Sequence, residues 1–182
     1  MATVALIAVA VLALFVAILF AALVEMFRDL RQVREAIGIL DRPLNIDIGP
    51  VAGTHPSQYG LPRALDSAGV ALVLFLSERC ATCHTLAAGL PRPLPAALWI
   101  VFEARSTASA ATLLDRYGLT ELSTHGRLIV DVGSEIAGRM GLHTTPVGYR
   151  VESGTIVFAT TVPSLRYLTS ILPETLRLRA AG

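Results

Sequence analysis

Both cysteines of the chain fall in one short stretch, Ser77 to Leu86, which reads SERCATCHTL. Cys80 and Cys83 are two residues apart and His84 follows at once. A CxxC pair can cycle between dithiol and disulfide. A CxxCH sequence can instead hold a c-type haem through two thioethers, with the histidine as axial ligand. A structural zinc site needs a second close pair of ligands. Here His55, His125 and His143 stand singly, so no metal is expected.

The surroundings weigh these chemistries. VALVLFLS, Val70 to Ser77, is a continuous run of β-formers and reads as a buried central strand. The cysteines follow directly, and ATCHTLAAGL continues as helix to Gly89, ahead of a loop with Pro91, Pro93 and Pro95. The first turn of a helix presents unpaired N–H groups and the positive end of its dipole. Both favour a thiolate, so Cys80 is the expected nucleophile with a lowered pKa. The two-residue spacer sets Cys83 one turn deeper, within reach of a disulfide to Cys80. Haem would need a distal ligand, for which Met140 and His143 are candidates, and a porphyrin-sized pocket. A small helical cytochrome does not place its attachment site straight after a buried strand. The dithiol is preferred. A haem electron carrier, or a redox-inactive scaffold that only keeps the fold, stands as the alternative.

The elements that must position this site follow in regular order. Ala97 to Ala104 (ALWIVFEA) reads as a second strand and STASAATLLDRYGL as a capped helix stopped at Gly118. Arg127 to Val132 reads as a third strand and GSEIAGRMGL as a short helix. A hairpin turning at Glu152-Ser153-Gly154 and a closing helix with Pro163 near its first turn complete the chain. Strands alternating with helices predict an α/β domain with a parallel or mixed central sheet flanked by helices.

Upstream, the sequence is different in kind. The chain has 182 residues, 53% hydrophobic, with mean hydropathy +0.61. Ala2 to Val24 carries no charge, Gly or Pro. Such a run is long enough to span a bilayer as helix. Residues 1–24 are therefore read as a retained transmembrane anchor rather than a cleaved signal, because no basic residue precedes the run. Residues 25–40 read as a juxtamembrane helix: Met26, Leu30, Val33, Ile37 and Leu40 follow an a/d pattern. It either packs on its own domain or pairs two copies through residues 26–40. Residues 41–69, rich in Pro and Gly, read as a connector that can lend an edge strand, and residues 70–182 as the redox domain. Fifteen basic residues, all Arg, against 14 acidic give a net charge of +1, which offers no basic stripe for nucleic acid.

The strand–CxxC–helix unit and TTPVGYRVESGTIV together resemble the thioredoxin superfamily, from about Val70 onward. The resemblance implies a thioredoxin-like fold and thiol–disulfide exchange with client proteins, with no cofactor beyond the Cys80–Cys83 disulfide. It implies a cis peptide bond before Pro146, with Thr145 and Pro146 facing the disulfide and binding the client chain beside Val147. The extra βα unit is similar to the membrane-anchored TlpA-like branch. The layout of anchor, charged helix with Arg31-Gln32-Val33, loop and redox domain is similar to the MauD-type proteins of methylamine dehydrogenase maturation. That likeness implies a redox domain outside the cytoplasmic membrane, a membrane or soluble redox partner, and membrane or secreted clients. Two features depart from the pattern. Arg79 replaces the usual aromatic before the first cysteine. The strand before the motif, Leu72 to Leu76, lacks the usual buried acid, which leaves Glu78 and His84 as the nearest groups for proton transfer to Cys83. The arginines oppose the implied location: Arg28, Arg31, Arg34 and Arg42 follow the anchor and none precedes it, which by the positive-inside rule favours a cytoplasmic domain.

Overall fold

A computed structural model describes residues 12–13, 15–27, 42–120 and 126–172. The chain divides into two compact units, Met1–Arg42 and Pro43–Gly182. In the first, residues 15–27 are helical with exposed apolar side chains. Among the described residues no helix is long and apolar enough to cross a membrane. Most of the expected juxtamembrane helix, and the start of the expected anchor, lie outside the described residues.

The second unit is built on a five-stranded sheet in the order β3-β2-β1-β4-β5. Its strands are β1 (Val70–Ser77), β2 (Leu98–Ala104), β3 (Leu128–Val132), β4 (Val147–Glu152) and β5 (Thr155–Thr161). The first three are parallel, and β4 and β5 add antiparallel on the other side of β1. The helices are α1 (Ala81–Gly89), α2 (Thr107–Arg116), α3 (Glu135–Arg139) and α4 (Leu165–Ile171). This mixed, helix-flanked sheet fits a thioredoxin-like fold.

β1 is central and all but its first residue are buried, which is why its sequence is apolar at every position instead of alternating. Leu72, Leu74 and Leu76 face a layer containing α1, α2 and α4, through Cys83, Leu86, Leu114 and Leu168. Ala71, Val73 and Phe75 face the opposite layer, with Val51, Leu61, Leu65, Ala137 and Met140. Residues 43–69 are thus part of the domain and supply core side chains from three short 3-10 turns. Their leading segment also lines the outer edge of β5: Asn45 bridges Thr160, Ile46 N–H donates to Ala159 O at 2.9 Å, and Thr161 N–H donates to Leu44 O at 2.9 Å.

Local signals act where the sequence places them. Ser106 caps α2 in a reciprocal box with Ser109, and Gly118 takes φ +58° just past its end. Ser153 and Gly154 turn the β4–β5 hairpin with φ +48° and +77°, the conformation a two-residue primed turn requires. Pro163 lies outside the closing helix, one residue before the Ser164 cap, instead of in its first turn.

Candidate active site

Cys80 is the N-cap of α1 and is partly exposed, whereas Cys83 is fully buried in the layer under α1. The two are joined as a disulfide with Cα atoms 5.1 Å apart. The chain turns between β1 and α1 through Cys80 N–H donating to Ser77 O at 3.2 Å. Cys83 N–H, one of the otherwise unpaired amides of the first turn, points at Cys80 Sγ at 3.1 Å. That donor and the helix dipole both favour negative charge on Cys80 sulfur.

The second wall of the site is the loop before β4. The Thr145–Pro146 peptide is cis, and Thr145 O lies 3.4 Å from Cys80 Sγ. Pro146 is buried and its carbonyl accepts from Val162 N–H at 2.9 Å, which ties the loop to the end of β5. Thr145 itself makes no backbone–backbone hydrogen bond among the described residues. The structure therefore brings Cys80, Cys83, Thr145 and Pro146 together. Val147 is a correction: it is fully buried against the core, paired with Phe75 and Thr161, so its side chain does not line the groove.

His84 and Glu78 are committed to other partners. His84 Nε2 lies 2.7 Å from Glu78 O, which can only accept, so Nε2 donates. In the tautomer that carries its proton on Nε2, Nδ1 accepts from Tyr117 Oη at 2.5 Å. The ring thereby ties the β1–α1 loop to the end of α2. Glu78 carboxylate is paired with Arg105 at 2.5 Å. The Arg105 guanidinium and the Ser109 hydroxyl hold its pKa below the ordinary glutamate value, which makes it a poor proton acceptor. These contacts do not suit a haem. The axial histidine has no free nitrogen, and Met140 is buried on the face of the sheet opposite Cys83.

Features not foreseen from sequence surround this core. Glu103, at the end of β2 beside Ser77, accepts from Ser134 Oγ at 2.5 Å and from Arg79 Nη2 at 3.4 Å. Buried Asp131 in β3 accepts from Ile136 N–H at 3.0 Å and Ala137 N–H at 2.9 Å. It thereby caps α3, whose N-cap residue Ser134 makes no cap bond of its own. A cavity of about 330 Å³ lies on the α3 side, walled by Ser77, Arg79, Glu103, Ser134, His143 and Thr145 among others. No single motif marks it, because its residues come from four separate segments.

No protein-family profile and no curated protein matches the chain. Among solved structures, it is similar to a secreted Mycobacterium tuberculosis disulfide oxidoreductase homologous to E. coli DsbE. That match has 19% identity and a TM-score of 0.41, covering 71% of this chain and 92% of the other. It is also similar to the thioredoxin domain of a thiol-disulfide oxidoreductase from Bacteroides vulgatus (11% identity, 74% and 94% covered, TM-score 0.46). A thiol:disulfide interchange protein from Bacteroides sp. matches at 12% identity, 75% and 90% covered, TM-score 0.44. At such distances the function has to come from the site's own geometry.

Proposed function

We propose that the chain is a membrane-tethered thiol–disulfide oxidoreductase acting on client proteins. The observation that carries this is the asymmetry of the pair: Cys80 is accessible beside the open backbone of Thr145, and Cys83 is sealed beneath it. A client thiolate attacks Cys80 Sγ, the Cys80–Cys83 bond breaks, and Cys83 leaves with the electron pair and takes up a proton. A second client thiol then attacks the mixed disulfide and expels Cys80, which the first-turn amide of Cys83 stabilises as thiolate. The client loses two electrons and the CxxC gains them. Run in reverse, the same steps reduce a client disulfide. Thr145 and Pro146 form the docking wall, since an extended client chain can pair with the free backbone of Thr145.

The anchor reading rests on the uncharged run Ala2 to Val24. Tethering would raise the local concentration of the site toward membrane and secreted clients. We place the redox domain on the extracytoplasmic side, where protein disulfides persist, and take the MauD-type layout as the nearest description of the whole chain.

The test is trapping in cells. Cys83→Ser, which lacks the resolving thiol, should accumulate mixed disulfides with clients on non-reducing gels, and Cys80→Ser should not. A membrane-impermeant maleimide should reach Cys80 of the Cys83→Ser variant in intact cells after mild reduction. Equal trapping by the two variants would overturn the assignment of roles, and labelling only after lysis would overturn the location.

A further inference from the structure

The cavity beside Thr145 is not needed for the exchange chemistry, yet two of its wall residues, Arg79 and Thr145, directly flank Cys80. Arg79 precedes it in the chain and Thr145 touches its sulfur. A client polypeptide that lays its cysteine on Cys80 along Thr145 must set a neighbouring side chain at the mouth of this cavity. What the cavity would accept follows from its charges. The carboxylate of Glu103 is the inner group, with its side chain 18% exposed, and the guanidinium of Arg79 is the outer one at 68%. One oxygen of Glu103 holds Ser134 and, at a long 3.4 Å, Arg79. The other oxygen accepts no hydrogen bond among the described residues. An exposed pair of this kind is weak and readily exchanged. An arriving cation can replace Arg79, which then turns to solvent, and Glu103 is never left unpaired. An arriving anion would meet the inner carboxylate instead.

We propose that this cavity selects clients with a lysine or arginine close to the reacting cysteine, bound by Glu103, with Arg79 as the internal competitor it displaces. This rests on the oxidoreductase reading above. It assigns Glu103, Arg79 and Ser134 to specificity rather than to bond making. Glu103 and Ser77 extend the register of Val101 and Phe75, which face the α3 layer, whereas Cys83 faces the other.

The test uses short cysteine peptides that differ in one neighbouring residue, Lys, Ala or Glu. The readout is the second-order rate at which each reduces the Cys80–Cys83 disulfide of the full chain. Each rate is normalised to the same peptide's rate with a small disulfide, which removes differences in thiol acidity. The Lys peptide should react about tenfold faster than the Ala peptide, the worth of one charge-assisted hydrogen bond, and the Glu peptide more slowly. Glu103→Gln should bring the Lys-to-Ala ratio close to one, and Arg79→Ala should raise it above the wild-type value. Because the readout is a ratio, a partly destabilised variant still answers. Equal normalised rates in the wild type, or a ratio unchanged in Glu103→Gln, would overturn the proposal and leave the oxidoreductase reading standing. Failure of every peptide to reduce the disulfide would sink both.

Discussion

Asp131 offers a direct measure of how firmly the α3 wall of the site is held. The residue is 2% exposed and its carboxylate accepts two backbone N–H groups, from Ile136 and Ala137. Asp131→Ala removes both acceptors and leaves two amides without partners in a site with little access to water. Hydrogen bonds to a charged group are worth about 1.5–3 kcal/mol each, and two that share one carboxylate fall short of additive, so the expected loss is about 3–5 kcal/mol. With a urea dependence of about 2 kcal/mol per molar, the unfolding midpoint should fall by about 1.5–2.5 M. Asp131→Asn keeps one carbonyl acceptor and should fall between the wild type and the alanine variant. Urea titration followed by circular dichroism reads all three proteins under one condition. A drop of under about 0.5 M for the alanine variant, roughly 1 kcal/mol on the same slope, would mean that α3 does not depend on this cap. The capping role assigned to Asp131 would then be wrong.

Two further outcomes test the frame around the site. Glu78 has a lowered pKa in the fold, chiefly from Arg105 and then Ser109. Its contribution to stability is therefore present above the ordinary glutamate value of 4.5 and is lost as pH falls through the folded value. The stability gap between wild type and Glu78→Gln should be open at neutral pH and close in acid, as read from urea midpoints across that range; a gap independent of pH would refute the pairing. Gly154 has φ +77°, and a Cβ there would run into the Asp66 carbonyl oxygen. Its N–H also donates to Ala68 O at 2.9 Å. Gly154→Ala should cost about 2–4 kcal/mol by thermal or urea unfolding, whereas Ser153→Gly in the same turn should cost nothing measurable.

How much of this is legible in the sequence depends on range. β1 is readable because burial on both faces forces an unbroken apolar run, and α1 because the cysteine pair sits where the run ends. Ser106, Gly118 and Ser153-Gly154 are readable because capping and turning are local chemistry. The cis bond at Pro146 comes from resemblance, since nothing in Thr145-Thr144 alone demands it; the second cis bond, Arg92–Pro93, has no such guide. Asp131 looks out of place in a strand because the amides it serves lie five and six residues on, in a helix too short to show a period. Val51, Leu61 and Leu65 are isolated apolar residues in a Pro- and Gly-rich stretch, and only the folded sheet shows that they complete a core layer. The cavity at Glu103 is the least legible, because parallel crossovers assemble it from residues far apart in the chain.

The segment from Leu44 to Ile46 has a practical bearing on how the unit Pro43–Gly182 can be handled apart from the residues before it. It occupies the outer edge of β5, whose sequence TIVFATT is uncharged and rich in β-branched residues. A version cut after this segment would present that edge bare, as a template for strand pairing between molecules. Precipitation of such a truncation would then report edge-to-edge association and not failure of the fold. A soluble domain has to begin at or before Pro43.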